Sequence, residues 1–590
     1  MSRPSNRPKI ENPTFKIDIV SAKGLHGIDS QLYQVQWHIL FGKEVRRSEP
    51  TILQSTEPVI NYNTEFKVDL THISEYNPAV LIYLTSSPLS KSEQIPVGEN
   101  CSNNLVGTAI VDYRYSKLYT GEYISVELMP CEQDGGHIDV NLGTVYLKLS
   151  LEGNSYGNNN NNNNNANSIN DRSHNIIDDP KEVEYEITTQ QERLARQNRD
   201  FIVSARGWWL KARKQYPHVE NRVVKILAED ESGQHRFVSS FVSPHHPPRE
   251  LINARFAARF VSLIPFKRDM GLTGGRIETW RCAHALLSRM QGDAEDHALL
   301  LCGLLLGWGL NAWVALGTID SSDGSAARGS TRAHCWVITL DASESRSQPK
   351  VTCWETLTGL QYEMPTAATL ANSPNTKHHF NELHVLFRHD RYALNIQKTA
   401  RLPRAELLER RGALTVSFDL SDPNAWLPLP CSDMQALRHP GADMKLTMSS
   451  SLSMGNAEEA LELQLKDRIA DWRLENSLAS VYDNDLALIL QPALAAYELD
   501  RAVGVTFGNA DFQAAIKRYV QRGESFKGFP TCFCHTEPTA IMQSLRKTAA
   551  ASDVALAQGR NVRLAVRVKI FPYPEGVLAC WIMIAVVLVK

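Results

Sequence analysis

Two side chains suited to acid–base chemistry stand on adjacent strand-like patterns in the middle of the chain. His334 opens His334-Cys335-Trp336-Val337-Ile338-Thr339-Leu340, and Glu355 closes Val351-Thr352-Cys353-Trp354-Glu355. A base and a carboxylate that orients it are two parts of a nucleophilic triad, whose third part is a thiol or hydroxyl delivered by another element. The element in the right place is Gly292-Asp293-Ala294-Glu295-Asp296-His297-Ala298, which runs into an apolar stretch over 299–306. Asp293 is an N-cap, and Glu295 and Asp296 add negative charge to the first turn, so the pattern predicts a helix buried on most sides. Such an N-terminus can lower a thiol's pKa, and this one carries Ala294 instead of a thiol.

Other thiols lie nearby. Cys302 follows Ala294 by eight residues, which is roughly 12 Å along a helix and too far from His334. Cys335 adjoins His334 and points to the other face of the strand, whereas Cys353 is two residues from Glu355 and shares its face. Cys353 is therefore the local reserve nucleophile. Thiol activation needs hydrogen-bond geometry rather than neighbourhood, and buried packing is the plainer role for all four of Cys282, Cys302, Cys335 and Cys353.

The order of these parts resembles the transglutaminase-like (papain-like) superfamily, whose core reads G-D-C-x-[DE]-x-A, an apolar helix, G-x-x-A-x-V-x-x-G, H-x-W, then a tryptophan near an acid. The chain matches at Gly292, Asp293, Glu295 or Asp296, Ala298, Gly309, Ala312, Val314, Gly317, His334, Trp336, Trp354 and Glu355, and departs at Ala294 and in the longer acid Glu355. Both departures fall on catalytic positions. The resemblance implies a pseudoenzyme with degenerate triad positions Ala294, His334 and Glu355. Its cleft would survive as a groove for peptides or protein partners, lined by Ala294, His334, Trp336, Cys353 and Glu355. The alternative is an active thiol hydrolase or acyltransferase that uses Cys353 or a distant cysteine. Neither reading calls for a cofactor or metal.

The elements that must position this site form a multidomain chain. Residues 1–153 read as an all-β sandwich: 15–20 alternate, 33–40 and 80–84 continue the pattern, and 144–149 close it, in an order that resembles a C2 domain. Calcium-binding C2 loops cluster aspartates. Here Asp29 stands nearly alone and 85–90 read as a loop without aspartate, so calcium-dependent membrane binding is not expected. Residues 154–181 form an Asn-rich linker, expected to be disordered. A helical connector spans 182–220, and its Trp208-Trp209 pair is expected to dock on the next domain.

Residues 221–400 form the transglutaminase-like α+β core, opening with a hairpin from 222–228 and 237–242 and a helix over 251–263. Residues 401–590 form a C-terminal α+β region packed on that core. In it Leu461, Leu465, Ile469 and Trp472 share one helix face, capped near Asn456, and 511–520 form another helix. Cys532-Phe533-Cys534-His535 lacks a second ligand pair at zinc spacing. Residues 562–570 and 577–589 read as a hairpin. The second run is almost wholly apolar but short of the ~20 residues a membrane helix needs.

Composition narrows the function classes. The formal net charge of −3 and dispersed Lys and Arg leave no electrostatic footprint for nucleic acid. Ten scattered cysteines and a start without an apolar core predict a reducing compartment and no signal peptide. Several segments together, "GWWLKARKQYP", "VVKILAEDESG", "GDAEDHALLLCGLLLGWGLNAWVALGT", "CWETLTG", "FKGFP" and "VRLAVRVKIFPYPEGVLACWIMIA", resemble the centrosomal protein of 76 kDa family from about residue 193 onward. That resemblance implies a cytoplasmic, cytoskeletal protein of the centrosome, centriole and ciliary basal body. It further implies a regulator of centriole duplication that acts through contacts with centriolar proteins and tubulin tails.

Overall fold

Strands whose residues alternate between core and surface build the N-terminal domain, as in β1 (Thr14–Lys23), where Phe15, Ile17 and Ile19 are buried. The computed structural model describes residues 13–25, 33–67, 79–88, 103–119, 121–131, 142–152, 179–268, 279–320, 331–341, 349–365, 378–404, 407, 414–431, 437–448, 454–504 and 509–589. The domain continues through β2 (Tyr33–Phe41), β3 (Glu44–Arg47), β4 (Val59–Lys67), β5 (Ala79–Pro88), β6 (Asn104–Asp112), a short α1 (Tyr115–Leu118), β7 (Tyr123–Pro130) and β8 (Gly143–Glu152). The strand order is β3-β2-β5-β6-β7-β8-β1-β4, all antiparallel. Only Gly107↔Pro130 and Thr108↔Met129 pair β6 with β7. The sheet therefore folds there into two four-stranded layers, a C2-like sandwich closed over Phe15, Phe41, Phe66 and Tyr113. The segment expected as a loop from residue 85 is strand as far as Pro88. Asp29 and linker residues 154–178 lie outside the described residues.

The connector is one 36-residue helix, α2 (Pro180–Gln215). Asp179 caps it by accepting from Lys181 N, and Pro180 occupies the first turn, where a missing N–H costs nothing. Near its end Trp208 donates from Nε1 to Pro428 O at 3.1 Å and meets Tyr392 edge-on, which fastens the helix to the domain that follows.

The expected opening hairpin shrinks to β9 (Leu227–Glu229) and β10 (His235–Phe237), because residues 238–241 close into a 3-10 turn. Helices α3 (Ala254–Ser262), α4 (Ala283–Arg289) and α5 (Ala294–Gly307) follow. The sheet comprises β11 (Ala312–Asp320), β12 (Thr331–Asp341), β13 (Lys350–Glu355), β14 (Leu360–Glu363), β15 (Phe380–Arg388), β16 (Arg391–Asn395) and β17 (Trp426–Pro428), in the order β14-β13-β12-β11-β15-β16-β17. The sheet thus carries this domain past residue 400, to Pro428.

The C-terminal region comprises α6 (Met454–Glu475), α7 (Asn484–Val503), α8 (Asn509–Tyr519), β18 (Glu524–Phe533), α9 (Pro538–Lys547), α10 (Ala549–Ala555), β19 (Arg560–Pro572) and β20 (Leu578–Val589). Helix α6 begins at Met454, so Asn456 lies inside its first turn rather than at its cap. The buried face of Leu461, Leu465, Ile469 and Trp472 packs into the core formed with α9, α10, β19 and β20. The apolar run is the central strand of a β18-β20-β19 sheet. Both its faces are covered, which is why its residues do not alternate.

The seven-stranded sheet, α5 with α3, α7, the three-stranded sheet, and then α6 with α9 and α10 stack in that order. One apolar core runs from α5 through α7 to β20, and others cover the two outer sheet faces.

Candidate functional site

Helix α5 starts with its own side chains closing its N-terminus. Asp293 Oδ1 accepts from Glu295 N and Asp296 N, both at 3.1 Å, and Asp296 Oδ2 accepts from Asp293 N at 3.3 Å. This is a capping box with Asp in the usual Glu place. Arg281 completes it, donating from its backbone N to Asp296 Oδ1 at 2.9 Å and from Nη1 to Oδ2 at 3.1 Å. The side chains of this ion pair are wholly buried. Burial, then the nearby Asp296 and Glu295, push the Asp293 carboxyl well above its usual range. The helix end that would stabilise a thiolate is taken up by these carboxylates, and Ala294 sits 8% exposed at its first position.

The sheet separates Ala294 from the base. Along β12, Cys335 and Val337 enter the core beneath α5, together with Ala294, while Trp336 and Ile338 enter the core on the other face with Cys353. His334 is on the second side, its ring stacked on Trp336 with centroids 6.2 Å apart. Glu355 lies there too, with Oε2 2.9 Å from His334 Nε2. The expected base and orienter therefore meet, and the expected helix terminus faces away from them.

A third residue joins this pair. His379 Nε2 donates to the same Glu355 Oε2 at 2.8 Å, so two imidazoles converge on one carboxylate. Burial opposes ionisation of Glu355, but the hydrogen bonds from His334 and His379 outweigh it and pull the carboxyl down to about 2. His379 just precedes β15, after an intervening stretch with no pattern to pair it with Glu355. The His378-His379 doublet was the one sequence signal at this position.

The expected peptide groove is absent at these residues. Trp336 and Cys353 are 0% exposed, and Ala294, His334 and Glu355 are each under a tenth exposed. Trp336 and Phe380 fill the space beside the histidine, their rings 5.0 Å apart. Two surface clefts lie elsewhere, one lined by Glu44, Arg46 and Lys67 on the sandwich, the other by Phe256, Leu499 and Tyr573 between α3, α7 and the β19–β20 turn. The thiols fare no better as nucleophiles. Cys302, Cys335 and Cys353 are all fully buried, and burial pushes each thiol far above its ordinary pKa, holding it protonated. Cys335 is the thiol closest in influence to the α5 N-terminus, where Glu295 and Asp293 raise it further. At the weak zinc signal, Cys532 Sγ takes a hydrogen bond from Arg259 Nη2 at 3.3 Å.

Among the described residues, two three-residue groups have ligand atoms close enough to share a metal: His334, Glu355 and His379, and Glu231, Cys282 and His439. The second lies where the sandwich meets α4. Tyr83 of β5 donates to Glu231 Oε1 at 2.8 Å, and Cys282 Sγ lies 3.2 Å from the same oxygen.

Comparison with known proteins adds ancestry to this geometry. Residues 278–429 match the family described as the CEP76 peptidase-like domain, and residues 450–589 match the centrosomal protein of 76 kDa C-terminal domain. The centrosomal protein of 76 kDa of Danio rerio is 34% identical over 423 residues, covering 70% of this chain and 59% of that protein. Its Homo sapiens counterpart is 33% identical over 413 residues, covering 68% and 59%. The chain thus spans less than two thirds of the length of these curated relatives. Among solved structures, a C2 domain of plant extended synaptotagmin 1 covers 25% of this chain and 99% of that one, with 12% identity and a TM-score of 0.18.

Proposed function

The peptidase-like and C-terminal domains of this chain belong to the centrosomal protein of 76 kDa family, and on that premise we propose that the protein is a non-catalytic centrosomal scaffold. One observation carries the reading: the helix end that would hold the nucleophile bears Ala294 and is closed by Asp293, Asp296 and Arg281. The buried, protonated Cys302, Cys335 and Cys353 support it, since none meets the access that nucleophilic chemistry requires. The fold survives without its nucleophile, and its contacts with partners run over the outer surface rather than through a cleft at His334. Its place is the centriole and the ciliary basal body, where it restrains extra centriole duplication by binding centriolar proteins, with tubulin tails among its candidate ligands.

Proximity labelling with the full chain tests compartment and partners together. The expected result is enrichment of centriolar proteins, unchanged in an Ala294→Cys variant because His334 faces the other side of the sheet. A neighbour set without centriolar components, or one that changes when the thiol is restored, contradicts the scaffold reading.

A further inference from the structure

Two clusters in this molecule bring ligand-type atoms together, and the hydrogen bonds around their histidines separate them. In the buried cluster of Glu231, Cys282 and His439, the backbone N–H of Gly441 donates to His439 Nδ1 at 3.0 Å. That nitrogen is then the unprotonated one, so the proton of a neutral ring sits on Nε2, facing Glu231 Oε1 at 3.5 Å and Asp230 Oδ2 at 3.6 Å. A protonated Nε2 has no lone pair for a metal, so this cluster is not poised as a metal site.

The His334, Glu355 and His379 cluster is different. Both rings aim Nε2 at Glu355, and among the described residues neither Nδ1 accepts a hydrogen bond. Either ring can therefore take the tautomer that carries a proton on Nδ1 and offers the Nε2 lone pair inward. The ligand atoms all lie within 4.8 Å of one another, and the present separations of each imidazole from the Glu355 carboxylate, 2.8 to 3.2 Å, are near the roughly 3.3–3.5 Å edges of a tetrahedral zinc site. The ligands are set on a rigid frame: His334 on β12, Glu355 at the end of β13 and His379 beside β15. The Glu355 side chain is nearly buried, while that of His379 is 34% exposed, so the cluster opens to solvent on one side.

From this convergence we infer that His334, Glu355 and His379 form a divalent metal site with a preference for zinc. Two imidazoles and one carboxylate satisfy three zinc positions and leave the fourth, on the His379 side, for water or an acidic group of a partner. Cys353 is on the same sheet face but is packed wholly inside the apolar core and is not among the converging ligand atoms, so the site is built from nitrogen and oxygen alone. The inference is independent of the scaffold reading, because a bound zinc requires neither a catalytic thiol nor a centriolar partner.

Titration of the full, metal-stripped chain with zinc, followed calorimetrically, tests it, with cobalt substitution giving a spectrum free of thiolate charge transfer. The expected result is one tight equivalent in the wild type. His379→Ala, at a partly exposed position and with folding checked by circular dichroism, weakens binding at least tenfold. Cys534→Ser is the control for the cysteines of β18 and its exit, and leaves the affinity unchanged. Absence of a tight equivalent in the wild type overturns the assignment. So does a zinc affinity untouched by His379→Ala, or a cobalt spectrum dominated by thiolate charge transfer.

Discussion

Glu355 is the residue on which the candidate site turns. Its carboxyl is pulled from the ordinary 4.5 down to about 2 by the two imidazoles. A depressed carboxylate stabilises the fold at pH values above its unfolded pKa and loses that contribution as pH falls through its folded one. Glu355→Gln is therefore expected to cost about 3 kcal/mol at pH 7, with the deficit shrinking between about pH 4.5 and 2. Urea midpoints of the two proteins across that range check it, and a deficit that does not depend on pH contradicts it. Of this cluster, His334 and Glu355 were legible in the sequence because each ends or opens a short strand pattern. His379 was not, since a hydrogen bond across strands far apart in sequence leaves no local spacing. The facing of the cluster was legible in half: alternation separates Cys335 from His334, but only the packed α5 reveals which of the two lies toward Ala294.

At the scale of the element, α5 is specified twice over. Its cap was readable from Asp293, but the ion pair with Arg281 was not, because Arg281 arrives from the loop before α4. Its glycines set how close the preceding chain approaches. His245 N donates to Gly303 O at 2.9 Å, and a Cβ on Gly307 would stand 1.6 Å from the His245 carbonyl oxygen. Gly307→Ala must therefore displace backbone rather than a flexible side chain, with an expected loss of at least about 1–3 kcal/mol. Thermal unfolding measures it, and an unchanged midpoint removes the close-approach account. β20 was readable as a strand because its twelve residues are too few for a membrane helix. Its neighbour β18 escaped notice, since Gly528 and Pro530 break the strand pattern. The structure accommodates that proline on an edge strand, paired with Met583.

At the scale of the molecule, single buried acids join the layers. Glu498 of α7 accepts from Arg259 of α3 at 2.8 and 3.0 Å, from Tyr573 Oη at 2.5 Å and from Trp581 Nε1 at 2.5 Å. It thereby ties the peptidase-like domain to the C-terminal sheet. Glu498→Ala leaves Arg259 buried and unpaired, and is expected to cost about 3–5 kcal/mol and to raise amide exchange in α3 and β20 together. Exchange confined to α7 contradicts the joint. These ties were invisible in sequence, because each partner is a polar residue in an otherwise apolar pattern. What they hold in place is a peptidase-like frame in which Cys302, Cys335 and Cys353 are sealed from solvent. The most direct measurement is therefore labelling of the folded wild-type chain with a thiol-directed hydrolase probe, read by mass spectrometry at Cys302, Cys335 and Cys353. The expected result is no labelling until the chain is unfolded. Stoichiometric labelling of any of the three in the folded protein, abolished by His334→Ala, would contradict a non-catalytic role.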